Sequence, residues 1–310
     1  MSAKSPQPTV VYVAGMGRSG TTLLALLLGA QEGIFGGGEL RRYWQGLSIP
    51  GWLCGCGLPV EECEFWRGVQ AGVSTADDPT RSRILDLQRR RLRLRPRQLF
   101  SLQRETSGEG AAWCRGYASA VDELYRAVAG ASGASVVVDS SKELPDGFLL
   151  SRLSGLDFRV VHMVRDPRAV VHSFARSVPT PQPHRELLPR GGTIATAAKW
   201  DARNACAEWM FRRLGDRYAR VSYEELVANP ARVLEPLVRR LGLSGQVSTD
   251  ALASPNHTFS GNPRRFGADQ HIELDDEWRR AMPRHSSALV SAATWPVARR
   301  YGYHLSRGQG

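Results

Sequence analysis

Short runs of β-branched residues alternate along this chain with longer segments that carry apolar residues at helical spacing. The first pair is the clearest, because a strand-like run at residues 10–13 meets a glycine-punctuated turn at 15–20, and an apolar helical pattern follows at 23–28. This order predicts a strand, a loop and a helix. Helical spacing also runs through residues 113–130 and 193–214, and the second of these helices carries three aromatic residues that we expect in the core, Trp200, Trp209 and Phe211.

Three further strands are predicted at residues 134–138, 158–164 and 218–222, and each is followed by polar or charged residues. Alternation of strands with helices is typical of an α/β domain with a central, mostly parallel sheet. We therefore expect one folded domain over residues 10–305, with a short tail at 306–310.

Outside this alternation, residues 1–9 are expected to form a disordered lead. Residues 79–130 predict a helical insertion, and the proline-rich residues 178–192 predict a mobile lid loop that selects the acceptor. The insertion opens with a strongly basic run at 79–105, in which leucines lie between arginines. That run predicts either a surface for anionic lipid or a polyanionic acceptor, or a solvated lid helix whose leucines pack on the body. The pattern favours the helix.

The composition of the 310 residues is that of a globular protein, with 42% hydrophobic and 23% charged residues. The net charge of +11 suits an anionic cofactor or acceptor. The arginines are scattered, and neither zinc-finger spacing nor an aromatic-basic RNA motif occurs, so we expect no nucleic-acid partner. No apolar run reaches the length of a membrane span and no secretory signal opens the chain, which predicts a cytoplasmic protein.

The turn at residues 15–20 is a candidate anion site. A loop between a strand and a helix directs backbone N–H groups and the positive end of the helix dipole to one point. Arg18 adds a cation, and hydroxyl donors are supplied by Ser19, Thr21 and Thr22. The stretch therefore predicts a cradle for a phosphate or a phosphosulfate.

The turn at residues 15–20 departs from the sequence patterns of two common nucleotide-binding loops. A Walker A loop requires a lysine where Thr21 stands, which disfavours an ATP-dependent kinase or other P-loop-like nucleotide-binding protein as the alternative function. A dinucleotide fingerprint is matched by Gly15, Gly17 and Gly20, with Glu39 near the expected acidic position. That fingerprint also needs a solid second strand, and residues 34–38 predict a poor one.

Residues 17–24, GRSGTTLL, resemble the 5′-phosphosulfate loop of sulfotransferases that use 3′-phosphoadenosine 5′-phosphosulfate (PAPS). The basic residue of that loop is arginine in the carbohydrate- and tyrosine-sulfating branches, as here. Residues 158–173 resemble the family's 3′-phosphate segment, a strand that ends in Arg165 with Ser173 eight residues later. Looser similarity extends over residues 10–303 and includes features of soluble bacterial-type members.

This resemblance implies a P-loop-like three-layer fold and PAPS as the sulfuryl donor. It implies that the 5′-phosphosulfate is held by Gly17, Arg18, Ser19, Gly20, Thr21 and Thr22. It also implies that Arg165, Ser173 and one of Arg264 and Arg265 bind the 3′-phosphate, with Gly261 as a weaker candidate. Tyr223 matches the position that contacts adenine, although a buried tyrosine hydroxyl satisfied by the backbone is the alternative.

The resemblance further implies sulfuryl transfer to a hydroxyl of a sugar, glycolipid, phenolic or other small molecule. Glu39 matches the base of the tyrosine-sulfating branch, and its alternative is a loop carboxylate paired with Arg41 or Arg42. Lys142 matches a lysine beside the sulfuryl group, and its alternative is a salt bridge to Asp139 or Glu143. With Arg18 as the third catalytic residue, the reaction is expected to need no metal.

Three cysteines lie close together at Cys54, Cys56 and Cys63, ahead of Phe65 and Trp66. The spacing is not a standard half-site for zinc, and a fourth ligand would have to come from elsewhere. The sequence favours a turn of reduced thiols, and leaves a disulfide and a metal site open as alternatives.

Overall fold

A five-stranded parallel sheet forms the centre of the protein. The computed structural model describes residues 7–108, 110–180, 182–183, 187–188, 190–243, 247–248, 256–266 and 272–304. The strands are β1 (Thr9–Gly15), β2 (Ile34–Gly38), β3 (Val136–Lys142), β4 (Asp157–Val164) and β5 (Tyr218–Ser222). Their order is β2-β3-β1-β4-β5, and every neighbouring pair is parallel. The predicted α/β class with a parallel sheet is confirmed.

Helices cover both faces of this sheet. They are α1 (Thr21–Gly29), α2 (Tyr43–Gly46), α3 (Glu64–Ala71), α4 (Asp78–Arg90), α5 (Pro96–Glu105), α6 (Ala112–Ser132), α7 (Leu144–Leu153), α8 (Pro167–Ala175), α9 (Thr193–Phe211), α10 (Tyr223–Ala228), α11 (Pro230–Arg240), α12 (Trp278–Ala281) and α13 (Arg284–Arg300). Alternate residues of β1 enter different cores, because side chains of a strand point to opposite faces. Tyr12 packs with Tyr125 of α6 and Leu149 of α7, whereas Val13 packs with Leu24 of α1 and Leu226 of α10. The sheet and the helices packed on its two faces therefore form three layers.

The expectation of a poor strand at residues 34–38 is wrong, because β2 pairs with β3 along this stretch. Its glycines serve close packing against α1. A Cβ on Gly36 would lie 2.9 Å from the carbonyl oxygen of Ala25, and one on Gly29 would lie 2.7 Å from the amide nitrogen of Gly36. Low strand propensity is therefore offset by tight helix-on-strand contact. The strand does not revive the dinucleotide alternative, because β3 lies between β1 and β2, unlike the usual dinucleotide-binding order.

The basic run forms two helices, α4 and α5, where one lid helix was predicted. Pro96 begins α5, at the helix position that tolerates proline best. Ile84, Leu92 and Leu102 are buried while Arg90 is exposed, as expected for an insertion that packs its apolar residues on the body. The predicted core residues of α6 are also buried, namely Tyr117, Val121, Leu124, Tyr125 and Val128.

The prediction that all three aromatic residues of α9 lie in the core is wrong for one of them. Trp200 and Phe211 are fully buried, but Trp209 is 43% exposed. Two residues turn a helix by about 200°, so Trp209 faces away from Phe211. Its ring stacks on Phe148 at a centroid distance of 6.4 Å. In the part of the chain that the structure describes, no helix has the length and apolar character to cross a membrane.

His162 of β4 is fully buried between two polar partners. Its Nδ1 lies 2.9 Å from the Tyr218 hydroxyl and its Nε2 lies 2.9 Å from Oδ1 of Asn204. Burial lowers the pKa of His162 from its usual 6.5 to about 4, because the charged imidazolium is poorly solvated there. The folded protein therefore holds this imidazole neutral at pH values where the unfolded chain protonates it.

This difference predicts acid-linked unfolding. The stabilisation is fully present above pH 6.5 and is lost as the pH falls from 6.5 towards 4. Between pH 7 and pH 5 the free energy of unfolding should fall by about 2 kcal/mol more in the wild type than in His162→Gln, which keeps a polar side chain that does not titrate. Urea unfolding at both pH values measures this, and parallel pH dependences in the two proteins would contradict it.

Candidate functional site

A cleft of about 440 Å³ opens at the carboxyl edge of the sheet. All five strands end at this edge because they are parallel, and ligands of open α/β sheets bind there. The cleft brings together most of the predicted site residues, which are Gly17, Arg18, Gly20, Thr21, Thr22, Glu39, Lys142, Arg165, Ser173, Tyr223 and Arg264, and also the weaker candidate Gly261. Residues separated by more than 240 positions in the chain thus line one space.

The turn between β1 and α1 is held in an unusual backbone conformation. Gly20 is the N-cap of α1 with a φ of 86°, and a Cβ there would lie 2.5 Å from the Tyr223 ring. Gly20 brings no side-chain acceptor for the first-turn N–H groups of α1. Those groups are suited to an anion, as predicted.

Strain is concentrated on two of the predicted catalytic cations. Among the described residues, only Arg18 and Lys142 have a positive φ without being glycine, at 68° and 66°. Side chains are disfavoured in this region of backbone space, and such residues cluster at functional sites. The strained backbone at Arg18 and Lys142 lowers the stability of the fold, and it places these two side chains.

Several buried donors around the turn have no hydrogen-bond partner among the residues that the structure describes. They are Nη2 of Arg18, Oγ of Ser19 and Nε of Arg165. Burial, with Arg176 nearby, also lowers the pKa of Arg18. Unpaired buried donors are costly, and a phosphate or sulfate oxygen would satisfy them. These residues fit the phosphosulfate that the sequence implied, although Ser19 lies beneath the surface of the cleft.

Glu39 lies between two cations at the end of β2. Its Oε1 is 2.5 Å from Nζ of Lys142, and its Oε2 is 2.7 Å from Nε of Arg42. Burial alone would raise the pKa of Glu39, but the charges of Lys142 and Arg42 outweigh it and lower that pKa to about 2. The backbone N–H of Glu39 donates to the carbonyl of Ser260 over 2.9 Å, which ties the end of β2 to residues 256–266.

The salt-bridge partners of Glu39 and Lys142 agree only in part with the alternatives that the sequence left open. Glu39 does pair with Arg42, while Arg41 pairs with Asp146 at 2.8 Å. Lys142 pairs with Glu39 itself, and its Nζ also donates to the carbonyl of Ser140 over 2.9 Å. The two expected partners of Lys142 are engaged elsewhere: Asp139 accepts from the Tyr125 hydroxyl, and Glu143 lies 3.7 Å from Arg203.

Arg165 does not pair with its neighbour Asp166, which instead pairs with Arg168 at 2.7 Å. Its guanidinium donates to the carbonyl of Arg18 over 3.1 Å and lies 4.3 Å from the centroid of the Tyr223 ring. These contacts tie the end of β4 to the anion loop. The proline at the start of α8 and the N-cap contact from Asp166 to the N–H of Arg168 fix this turn.

Asp275 is a cleft residue that the sequence did not single out. Its carboxylate lies 3.1 Å from Nη2 of Arg165 and 3.2 Å from Nη2 of Arg176. Burial alone would raise the pKa of Asp275, but these arginines lower it. An anion bound at Arg165 would therefore meet this carboxylate. Only the run of acidic residues at 273, 275, 276 and 277 marks the segment in the sequence.

The two candidate arginines of the late loop have different environments. Arg264 lines the cleft. Arg265 is 1% exposed, and its guanidinium donates to the carbonyls of Thr258 and Leu53 over 2.5 and 2.6 Å. The structure therefore places Arg265 in the protein body and not among the cleft residues.

The hydroxyl of Tyr223 is satisfied by the backbone, and its ring lines the cleft. Its hydroxyl accepts from the N–H of Asp275 over 3.3 Å and donates to the carbonyl of Glu273 over 3.4 Å, which is the backbone satisfaction given as the alternative. Its ring nevertheless lines the cleft beside Arg165. An aromatic face at this position is suited to stacking with a base.

The predicted lid is described only in part, since residues 181, 184–186 and 189 lie outside the described chain. Val178, Thr180, Gln182 and Leu188 line the cleft. Gln182 exchanges two hydrogen bonds of 3.1 Å with the backbone of Leu53, which links this segment to the cysteine-containing turn.

Part of this chain matches the model of a known protein family. Residues 157–246, which contain β4, α8, α9 and β5, match a family model described as the sulfotransferase family. Human carbohydrate sulfotransferase 3 is 28% identical over 178 residues, which are 49% of this chain and 35% of that protein. The chain thus spans about a third of the length of this curated relative.

Two solved structures share the fold. The sulfotransferase domain of the olefin synthase from Synechococcus PCC 7002 has a TM-score of 0.50 at 21% identity, with 98% of each chain covered. The sulfotransferase domain from the curacin biosynthetic pathway has a TM-score of 0.54 at 18% identity, covering 97% of this chain and 99% of that one. The family model and the human relative, on a fold that these domains share, show that this chain resembles sulfotransferases.

Proposed function

We propose that this protein transfers a sulfuryl group from PAPS to a hydroxyl of a small molecule. The observation that carries the proposal is the joint presence, in one cleft, of a loop with unpaired donors and a half-buried Glu39 and Lys142 pair. A binding module for anions would need the loop but not the pair. A kinase would need a lysine at Thr21, and none stands there.

The cofactor would be held along the cleft from α1 to α8. The N–H groups at the start of α1, with Gly17, Arg18, Ser19, Gly20, Thr21 and Thr22, would hold the 5′-phosphosulfate. Arg165, Ser173 and Arg264 would hold the 3′-phosphate, and the ring of Tyr223 would contact adenine. Asp275 would have to yield its contact with Arg165 to that phosphate, because two anions at one guanidinium repel each other.

When bound, PAPS supplies an activated sulfuryl group and leaves as adenosine 3′,5′-bisphosphate. Glu39 accepts the proton of the acceptor hydroxyl, and Lys142 and Arg18 place positive charge where oxygen charge develops. These cations are fixed by the backbone before the reaction begins, so little reorganisation is needed. The proposal needs no metal ion in the transfer.

The low pKa of Glu39 sets a condition on its role as a base. A carboxylate with a pKa of about 2 is a poor proton acceptor for a hydroxyl group. Its low pKa depends on Lys142, since burial acts in the opposite direction. Once Lys142 directs its charge to an anion in the cleft, burial raises the pKa of Glu39 and makes it a stronger base. Lys142 would thus couple donor binding to base strength.

The acceptor class rests on the name of the human relative, a carbohydrate sulfotransferase. A sugar or glycolipid hydroxyl is therefore the first acceptor to test, with phenolic compounds second.

Replacing Glu39 with Gln should lower kcat by roughly 10²- to 10⁴-fold, because the amide cannot accept the proton. Binding of adenosine 3′,5′-bisphosphate should be preserved. The measurement is transfer of radiolabelled sulfate from PAPS to a panel of sugar acceptors, with Glu235→Gln on the exposed side of α11 as the control. Unchanged turnover in Glu39→Gln would remove this residue as the base.

Replacing Lys142 with Met should raise the pKa of Glu39 above its present value of about 2, because burial is then opposed by Arg42 alone. Carbon-13 NMR of the labelled carboxylate follows this titration without requiring activity. The exposed Lys199→Met on α9 is the matched control and should leave the titration unchanged. Identical pKa values in all three proteins would show that Lys142 does not tune the base.

A further inference from the structure

Four potential metal ligands meet beside the cleft, outside the residues proposed for transfer. Cys54, Cys56 and Cys63 lie in and after the turn that precedes α3, and His257 comes from a segment almost 200 positions later. Their Sγ and ring nitrogen atoms all lie within 4.8 Å of one another. Cys54 and Cys63 are buried, whereas Cys56 and His257 are half-buried. The fold supplies the distant fourth ligand that the sequence alone did not identify.

Four of the six distances between the ligand atoms match those of a tetrahedral site. Usual Zn–S and Zn–N lengths of about 2.3 and 2.05 Å place tetrahedral ligand atoms about 3.8 Å apart for two sulfurs and about 3.6 Å apart for sulfur and nitrogen. The Sγ of Cys63 lies 3.7 Å from that of Cys54 and 3.8 Å from that of Cys56. Nδ1 of His257 lies 3.4 Å from the sulfur of Cys63 and 3.7 Å from that of Cys54. A disulfide would instead hold two sulfurs about 2.05 Å apart.

The surroundings fix the ligands in this arrangement. The indole N–H of Trp66 donates to the carbonyl of His257 over 2.9 Å, and the ring of Phe65 stacks on the imidazole at 5.0 Å. Gly55 donates its N–H to the carbonyl of Thr258 over 2.9 Å, and a Cβ there would lie 2.1 Å from Oδ1 of Asn256. Only glycine allows the turn to approach the histidine segment this closely.

The charge balance also suits a metal centre. Three thiolates, one neutral imidazole and a divalent zinc ion carry a net charge of −1. Arg265 is buried, and its Nε has no hydrogen-bond partner among the described residues. Its guanidinium donates to the carbonyls of Leu53 and Thr258, which are the neighbours of Cys54 and His257. A buried cation thus lies against both halves of the cluster, where it can offset that charge.

We propose that Cys54, Cys56, Cys63 and Nδ1 of His257 bind one zinc ion in a closed structural site. Three sulfurs and one nitrogen in tetrahedral array are ligands that zinc favours, and four protein ligands leave no open position for catalysis. The ion joins the cysteine turn to residues 256–266. That segment reaches the transfer site through the contact between the Ser260 carbonyl and the N–H of Glu39. The zinc site therefore holds the wall of the cleft that carries Arg264.

The test is metal analysis of the purified full chain by inductively coupled plasma mass spectrometry. About one zinc per chain is expected in the wild type. Cys54→Ser, Cys63→Ser and His257→Ala should lose it, while Cys114→Ser and Cys206→Ser should retain it because these cysteines lie outside the cluster. Cys114 is buried and Cys206 half-buried, so they match the ligands in burial.

A second measurement uses only the wild-type protein, so it does not require any variant to fold. Wild-type protein produced in cobalt-supplemented medium should show the absorption bands of tetrahedral cobalt with thiolate ligands. Stripping zinc from the wild type with a chelator should lower its melting temperature, and adding zinc should restore it. Zinc content near zero, a disulfide among these cysteines, iron or copper in place of zinc, or zinc retained in His257→Ala would each overturn the proposal.

Discussion

The half-buried ion pair between Glu39 and Lys142 is the contact on which the arrangement of the cleft depends. It joins the ends of β2 and β3, two strands that are more than 100 residues apart in the chain and adjacent in the sheet. An ion pair that is largely removed from water is tolerated only when its remaining hydrogen bonds are made. Arg42 and the carbonyl of Ser140 make them for the two side chains, and the carbonyl of Ser260 accepts from the backbone N–H of Glu39. Much of the local backbone, including the left-handed Lys142, is explained by the need to complete this pair.

The loop between β1 and α1 also contains features that cost stability. Arg18 and Lys142 each occupy a strained backbone conformation, and Arg18 also keeps a buried donor unpaired. Strain and unsatisfied donors cost stability, and they persist where a ligand or a reaction uses them. The packing that supports them is strong: the Tyr223 ring lies against Gly20 on one side and beneath Arg165 on the other. A rigid site assembled before the ligand arrives lowers the cost of organising charge during the reaction.

Local pattern predicted those parts of the fold that depend on nearby residues. Strand β5 was predicted at the residues where it occurs, and the glycine turn with Arg18 was predicted between β1 and α1, where the structure has it. What the sequence missed depends on distant packing. The glycines of β2 look unsuited to a strand until α1 is packed on them. Trp209 is an aromatic residue of the kind found in cores, but its position on α9 turns it away from the core. Asp275 and His257 gain their roles only from residues far along the chain, and neither belongs to a motif.

The central claim is that the cleft is a PAPS site, and calorimetric titration with adenosine 3′,5′-bisphosphate tests it most directly. ATP and NAD are titrated in parallel, and Arg165→Ala is compared with Arg239→Ala, an exposed residue of α11. The account predicts micromolar binding of the bisphosphate alone, lost in Arg165→Ala and kept in Arg239→Ala. No binding, or a preference for ATP or NAD, would contradict it.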